Sequence, residues 1–153
     1  MTETLIAVGS IGYGFGLETE GRYISMNVYF AGCSKEPKCE GCHNPGLWEV
    51  DKVILMKVSE FRDMIERDLP LIKAIVIMGG EPLDQPEGLL VLCDIARDKG
   101  LCIYLYSGME IQDIHPLILD RVDVLVAGPY IQALAEPGAW PASTNQTVYR
   151  MSR

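Results

Sequence analysis

The sequence predicts an α/β protein folded as a partial, open parallel β/α barrel. Three observations predict it. Short continuous apolar runs, KAIVIMGG at 73–80, LCIYLYSG at 101–108 and VDVLVAGPY at 122–130, carry glycine at or near their ends. That is the pattern of strands buried on both faces and closed by a turn. Helical-period segments separate them, and such alternation marks parallel βα units with right-handed crossovers. Only about four or five units fit this length, too few to close an eight-stranded barrel.

The elements follow in chain order. GYGFG at 12–16 is glycine-rich but lacks the strand-to-helix context of a phosphate cradle, and reads as a loop before the first strand. RYISMNVYFAG at 22–32 is the first strand and runs straight into a cysteine-rich segment. KVSEFRDMIERD at 57–68 is a helix, with Ser59 as N-cap and Phe61, Met64, Ile65 and Leu69 at helical spacing. After the strand at 73–80, a second helix starts near Pro86 and stops at Gly100. A short helix around 111–119 is interrupted or restarted at Pro116, with His115 at its boundary and no role assigned to it. The tail is loop-like, with one short strand at QTVYR. Residues 1–153 are expected to form one domain.

In open sheets of this kind ligands sit at the carboxyl ends of the strands. The unusual residues gather at those ends: the cysteine segment, Gly79-Gly80-Glu81, Ser107-Gly108 and Gly128-Pro129. One shared pocket is expected there.

Composition narrows the function. With 153 residues, 48% of them hydrophobic, the chain can bury a core without disulfides. Its formal charge of −8 disfavours nucleic acid. No run of about 18 apolar residues is present, so no membrane span is expected. No secretory pattern opens the sequence, so a cytoplasmic location is expected.

Five cysteines in that setting point to metal or redox chemistry. Cys93 and Cys102 fall in apolar runs and read as small buried hydrophobes. Cys33, Cys39 and Cys42 lie among Lys, Glu, Pro and Gly in GCSKEPKCEGCHNPGLW, residues 32–48. Zinc could use them with His43, although adjacent Cys42 and His43 aim at one ion only with strain. Cys39-Glu-Gly-Cys42-His43 matches a c-type haem attachment pattern, which leaves Cys33 without a role. An iron–sulfur cluster on three thiolates leaves one iron open to a small bidentate ligand.

Three clustered cysteines after the first strand, then Gly79-Gly80-Glu81-Pro82 after the second, resemble the radical S-adenosylmethionine enzymes. The similarity is closer to the small activating proteins of glycyl radical enzymes, especially of anaerobic ribonucleotide reductase. Cys39-Glu-Gly-Cys42-His43-Asn44, Trp48, DVLVAGPYI at 123–131 and STNQ at 143–146 carry that similarity, from about residue 5 to residue 150. Three departures stand out. Five residues separate Cys33 from Cys39 where the family has three, Ala127 replaces an aspartate, and no second cysteine-rich domain is present for auxiliary clusters.

The resemblance implies a [4Fe–4S] cluster on Cys33, Cys39 and Cys42, and S-adenosylmethionine as cosubstrate. Gly79, Gly80 and Glu81 would meet its ammonium, Ser107 and Gly108 its ribose or methionine side, and His43 its adenine. Reductive cleavage to a 5′-deoxyadenosyl radical would then place a glycyl radical on a large partner enzyme, anaerobic ribonucleotide reductase first. Flavodoxin or ferredoxin would donate the electron. Two other readings stand beside it: a small-molecule enzyme similar to 7-carboxy-7-deazaguanine synthase, and a non-catalytic zinc-binding module.

Overall fold

The computed structural model describes residues 3–32, 54–129, 134, 141 and 145–151. Its strands are β1 (Leu5–Gly14), β2 (Ser25–Phe30), β3 (Ile54–Lys57), β4 (Ala74–Gly79), β5 (Cys102–Ser107), β6 (Val124–Ala127) and β7 (Thr147–Arg150). Its helices are α1 (Val58–Asp68), α2 (Pro86–Asp98) and α3 (Pro116–Leu119). All seven strands join one open sheet in the order β3-β1-β2-β4-β5-β6-β7. The four central strands β2, β4, β5 and β6 are parallel. This is the partial barrel the alternation predicts.

The flanks differ from the expectation. Gly12–Gly14 belong to β1, which pairs antiparallel with β2, rather than to a loop. β3 pairs antiparallel with β1, and β7 antiparallel with β6. Glycine weakens the strand signal, and β1 carries three of them. One has a packing reason: a Cβ on Gly14 would stand 2.5 Å from Asn27 Nδ2. β3 has four residues on the sheet edge and enters α1 with no turn between, so nothing in its pattern separates it from the preceding segment.

The expected N-cap also shifts, from Ser59 to Lys57. The Lys57 amide donates to Glu60 Oε1 at 3.1 Å, and the Ser59 amide donates to Glu3 Oε1 at 2.7 Å. Acidic side chains thus satisfy the first turn, where the helix dipole favours them. At α3, His115 acts as the cap, its Nδ1 accepting from the Leu117 amide at 3.1 Å.

Strand alternation divides the sheet into two faces. Met26, Val28, Phe30, Ile75, Ile77, Ile103, Leu105 and Leu125 face the helices and build the main core with Phe61 and Ile65 of α1 and Leu89, Leu92 and Cys93 of α2. Ala74, Val76, Tyr104 and Val124 form a smaller cluster on the opposite, inner face. The connection between β1 and β2 folds across that face. Tyr106 Oη donates to the Glu18 carbonyl at 2.8 Å, and Tyr23 packs edge-on against Tyr104. Arg150 of β7 closes the arrangement with two bonds to the Glu20 carboxylate, 2.7 and 2.6 Å. Among the described residues no helix is long and apolar enough to cross a membrane.

Candidate functional site

The register aligns four strand ends on one rim. Phe30 pairs with Gly79, and Ser107 with Ala127. Ile77 pairs with Leu105, which sets Gly79 level with Ser107. The rim therefore joins Gly32, the Gly79-Gly80-Glu81 turn, Ser107-Gly108 and Gly128, as the sequence predicts.

Gly79 has φ +134°, and a Cβ there would lie 2.2 Å from the Phe30 carbonyl oxygen. Only glycine fits, because the turn runs against the end of β2. The Gly80 amide then donates to the Phe30 carbonyl at 2.9 Å, and the Glu81 amide to the Gly32 carbonyl at 2.7 Å. Gly32 itself has φ +91° and is the last described residue before Cys33. Cys33, Cys39, Cys42 and His43 lie outside the described residues.

Glu81 is 3% exposed, and the chain engages both of its carboxylate oxygens. Oε2 accepts from the Ser107 hydroxyl at 2.9 Å and from the Leu83 amide at 3.0 Å; Oε1 accepts from the Gly108 amide at 2.8 Å. The Ser107 hydroxyl oxygen in turn accepts the Met109 amide at 3.0 Å. Burial pushes the Glu81 carboxyl above the ordinary glutamate range, against the pull of these three donors. Glu81 and Ser107 thus lock the turn after β4 to the turn after β5.

Sequence reasoning missed Gln85. Its Oε1 accepts from the Ala7 amide at 2.8 Å, while Nε2 donates to the carbonyls of Ala7 at 2.9 Å and Ala31 at 3.1 Å. The side chain copies a strand pairing with β1 and reaches the exit of β2. A polar residue directly before Pro86 is a visible signal for a helix start, but nothing in the sequence says which distant carbonyls it meets. Asn145 and Gln146 were noted only as part of a motif. Asn145 Nδ2 donates to the Pro129 carbonyl at 2.8 Å and Gln146 Nε2 to the Gly128 carbonyl at 3.3 Å, fixing the turn after β6.

The other cysteines are ill suited to hold a metal. Cys93 is fully buried in the core. Burial, and after it the Asp123 charge, pushes the Cys102 thiol up to about 11, so it stays protonated at neutral pH. Among the described residues no three His, Cys, Asp or Glu side chains group to hold a metal. The chemistry of the remaining donors, three thiols in one segment rooted at a glycine-lined rim, fits an iron–sulfur cluster with an open iron.

Residues 18–149 match the 4Fe-4S single cluster domain family. The chain belongs to that family. It is 30% identical over 137 residues to the anaerobic ribonucleoside-triphosphate reductase-activating protein of Vibrio cholerae, covering 82% of this chain and 86% of that relative. The protein of the same name from Escherichia coli K12 is 29% identical, over 81% and 86%. QueE from Escherichia coli superposes with a TM-score of 0.63 at 16% identity, over 92% of this chain. The chain spans 65% of the length of QueE, and that likeness shows the shared fold. Family membership implies an iron–sulfur cluster.

Proposed function

We infer that this chain is a radical S-adenosylmethionine enzyme that installs a glycyl radical on an anaerobic ribonucleoside-triphosphate reductase. The observation that carries it is the direct bonding of the turn after β4 to the root of the cysteine segment, in a member of a 4Fe–4S family whose curated relatives are reductase-activating proteins. Cys33, Cys39 and Cys42 are the ligands of the cluster. When bound and reduced, it supplies the electron that cleaves S-adenosylmethionine and starts hydrogen-atom abstraction.

The chain's own residues bind and orient. Backbone carbonyls of Gly79 and Gly80 approach the ammonium of the cosubstrate, since no side chain stands between. Glu81 holds that turn from beneath, and so contributes to ammonium binding through the backbone it fixes. Its bond to the Gly108 amide holds the Ser107-Gly108 turn at the ribose or methionine side. His43 would pack on the adenine. The β1–β2 connection folds across the inner face, so the target glycine arrives from the rim, on a loop of the reductase. A flavodoxin or ferredoxin supplies electrons, and the protein works in the cytoplasm.

The test is anaerobic reconstitution with iron and sulfide, followed by reduction with S-adenosylmethionine. A brown protein that forms 5′-deoxyadenosine, and a glycine-centred electron paramagnetic resonance signal on added reductase, is the expected result. A colourless protein that retains zinc and forms no 5′-deoxyadenosine would overturn the assignment. Cleavage of the cosubstrate without any radical on the reductase would instead favour another substrate.

A further inference from the structure

Three consecutive carbonyls precede Cys33, and one six-residue stretch holds all three. The Phe30 carbonyl takes the Gly80 amide at 2.9 Å, the Ala31 carbonyl takes Gln85 Nε2 at 3.1 Å, and the Gly32 carbonyl takes the Glu81 amide at 2.7 Å. Two of those donors are backbone amides that any residue other than proline would supply. The third is a side chain, and it is bonded at the same time to both polar backbone atoms of Ala7. The Ala31 amide donates to the same Ala7 carbonyl at 2.9 Å. Gln85 therefore sits where β1, the exit of β2 and the start of α2 meet.

We infer that Gln85 is a positioning residue for the cluster: it fixes where Cys33 leaves β2 relative to the Gly79-Gly80-Glu81 turn. The inference rests on the proposed function only in taking Cys33 as a ligand. Gln85 acts on the cluster through Ala31 and Gly32, the two residues between β2 and Cys33. Without it the Ala31 carbonyl loses its donor, and the root of the segment is held by the neighbouring amides alone. A buried carbonyl left unpaired draws the backbone toward water. The first thiolate then shifts relative to the glycine turn.

Two readouts test this, one of which needs no cluster. In apo protein carrying Gln85→Met, hydrogen exchange at the Gly80 and Glu81 amides should accelerate about tenfold or more against Ile75 and Ile103, which lie in the central strands β4 and β5 toward the ends away from the rim. In reconstituted protein the same variant should lose iron to a chelator about tenfold faster, the scale seen when groups that orient metal ligands are removed. Leu92→Ala, a core change far from the rim, is the control for general destabilisation, compared at matched urea stability. Unchanged exchange, unchanged iron loss, or equal acceleration in Leu92→Ala would each overturn the inference. Should Gln85→Met fail to fold, Gln85→Glu keeps an acceptor for the Ala7 amide and lacks both donors, and the same outcomes apply. If wild-type protein takes up no iron, the proposed function fails, while the exchange result still decides whether Gln85 pins the root.

Discussion

The Ser107 hydroxyl donates to the Glu81 carboxylate at 2.9 Å, joining the ends of two neighbouring parallel strands through side chains that are both nearly inaccessible. Burial of a carboxylate and three hydrogen bonds to it pull its acidity in opposite directions. Burial wins, since the Glu81 carboxyl lies above its ordinary value of 4.5. In the folded state Glu81 therefore keeps its proton to higher pH than in the unfolded chain. Between those two values the folded protein binds more protons, so stability falls as pH rises. The urea midpoint of the wild type should decline from pH 4.5 upward through the folded value, and Glu81→Gln should remove that decline. At neutral pH the variant leaves one of three donors facing an amide nitrogen, a loss of about 1–3 kcal/mol, partly offset by the absent buried charge. Urea titrations of both proteins across this range check the shape and the sign.

Gly79→Ala meets a harder obstacle. The new methyl would approach the Phe30 carbonyl oxygen to 2.2 Å at a backbone angle of +134°. Backbone cannot rotate away as a flexible side chain does, so the end of β2 must separate from β4. The expected cost is about 3 kcal/mol or more, combining steric contact with backbone strain. Chemical denaturation measures it. The binding of S-adenosylmethionine to reconstituted protein should fall in parallel, because the displaced turn is the one proposed to face its ammonium.

Three of the four parallel strands, β4, β5 and β6, and their shared rim were legible because burial on both faces writes a continuous apolar run into the sequence, while β2 was legible despite Ser25 and Asn27. Gly79 and Gly80 were legible for the same reason, as the ends of such a run. β1 was not, since Gly9, Gly12 and Gly14 interrupt its alternation and one of them answers to Asn27 on a neighbouring strand. β3 is an exposed edge, and edges carry no burial pattern to read. Glu81 was singled out, but its partners were not: that Ser107 and Gly108 supply its donors depends on the register of β4 against β5. Gln85 was hidden entirely, because its bonds span 54 and 78 residues of sequence.

The clamp between Arg150 and Glu20 makes a prediction of opposite sign to that for Glu81. Arg150 holds the Glu20 carboxyl below its ordinary value of 4.5, chiefly through their hydrogen bonds. A carboxyl with a depressed folded value stabilises above 4.5 and loses that contribution as pH falls through the folded value. Arg150→Met should lower the urea midpoint at pH 7, and the gap from wild type should narrow as pH falls below 4.5. Arg150→Lys keeps the charge but not the planar fork, so it should recover only part of the gap. Protease cleavage within residues 15–24 should quicken in Arg150→Met, as the β1–β2 connection loses its hold on β7.

The cysteines divide into two classes that substitution should separate. Cys33→Ser, Cys39→Ser and Cys42→Ser each remove one of three thiolates. A cluster on two protein ligands is poorly retained, so iron content should fall to a small fraction of wild type and 5′-deoxyadenosine formation should cease. Among the described residues the sheet and its core form without these three, so far-UV circular dichroism should remain that of a folded protein. Cys93→Ala and Cys102→Ala should do the reverse. Cys93 of α2 is fully buried in the core, and its truncation opens a small cavity costing about 1–2 kcal/mol. Cys102 is a protonated thiol on the inner face, remote along its strand from the rim. Both variants should bind iron at the wild-type ratio, measured by metal analysis after anaerobic reconstitution. Loss of iron from Cys102→Ala at unchanged stability would move the metal site away from the rim and toward the amino ends of the strands.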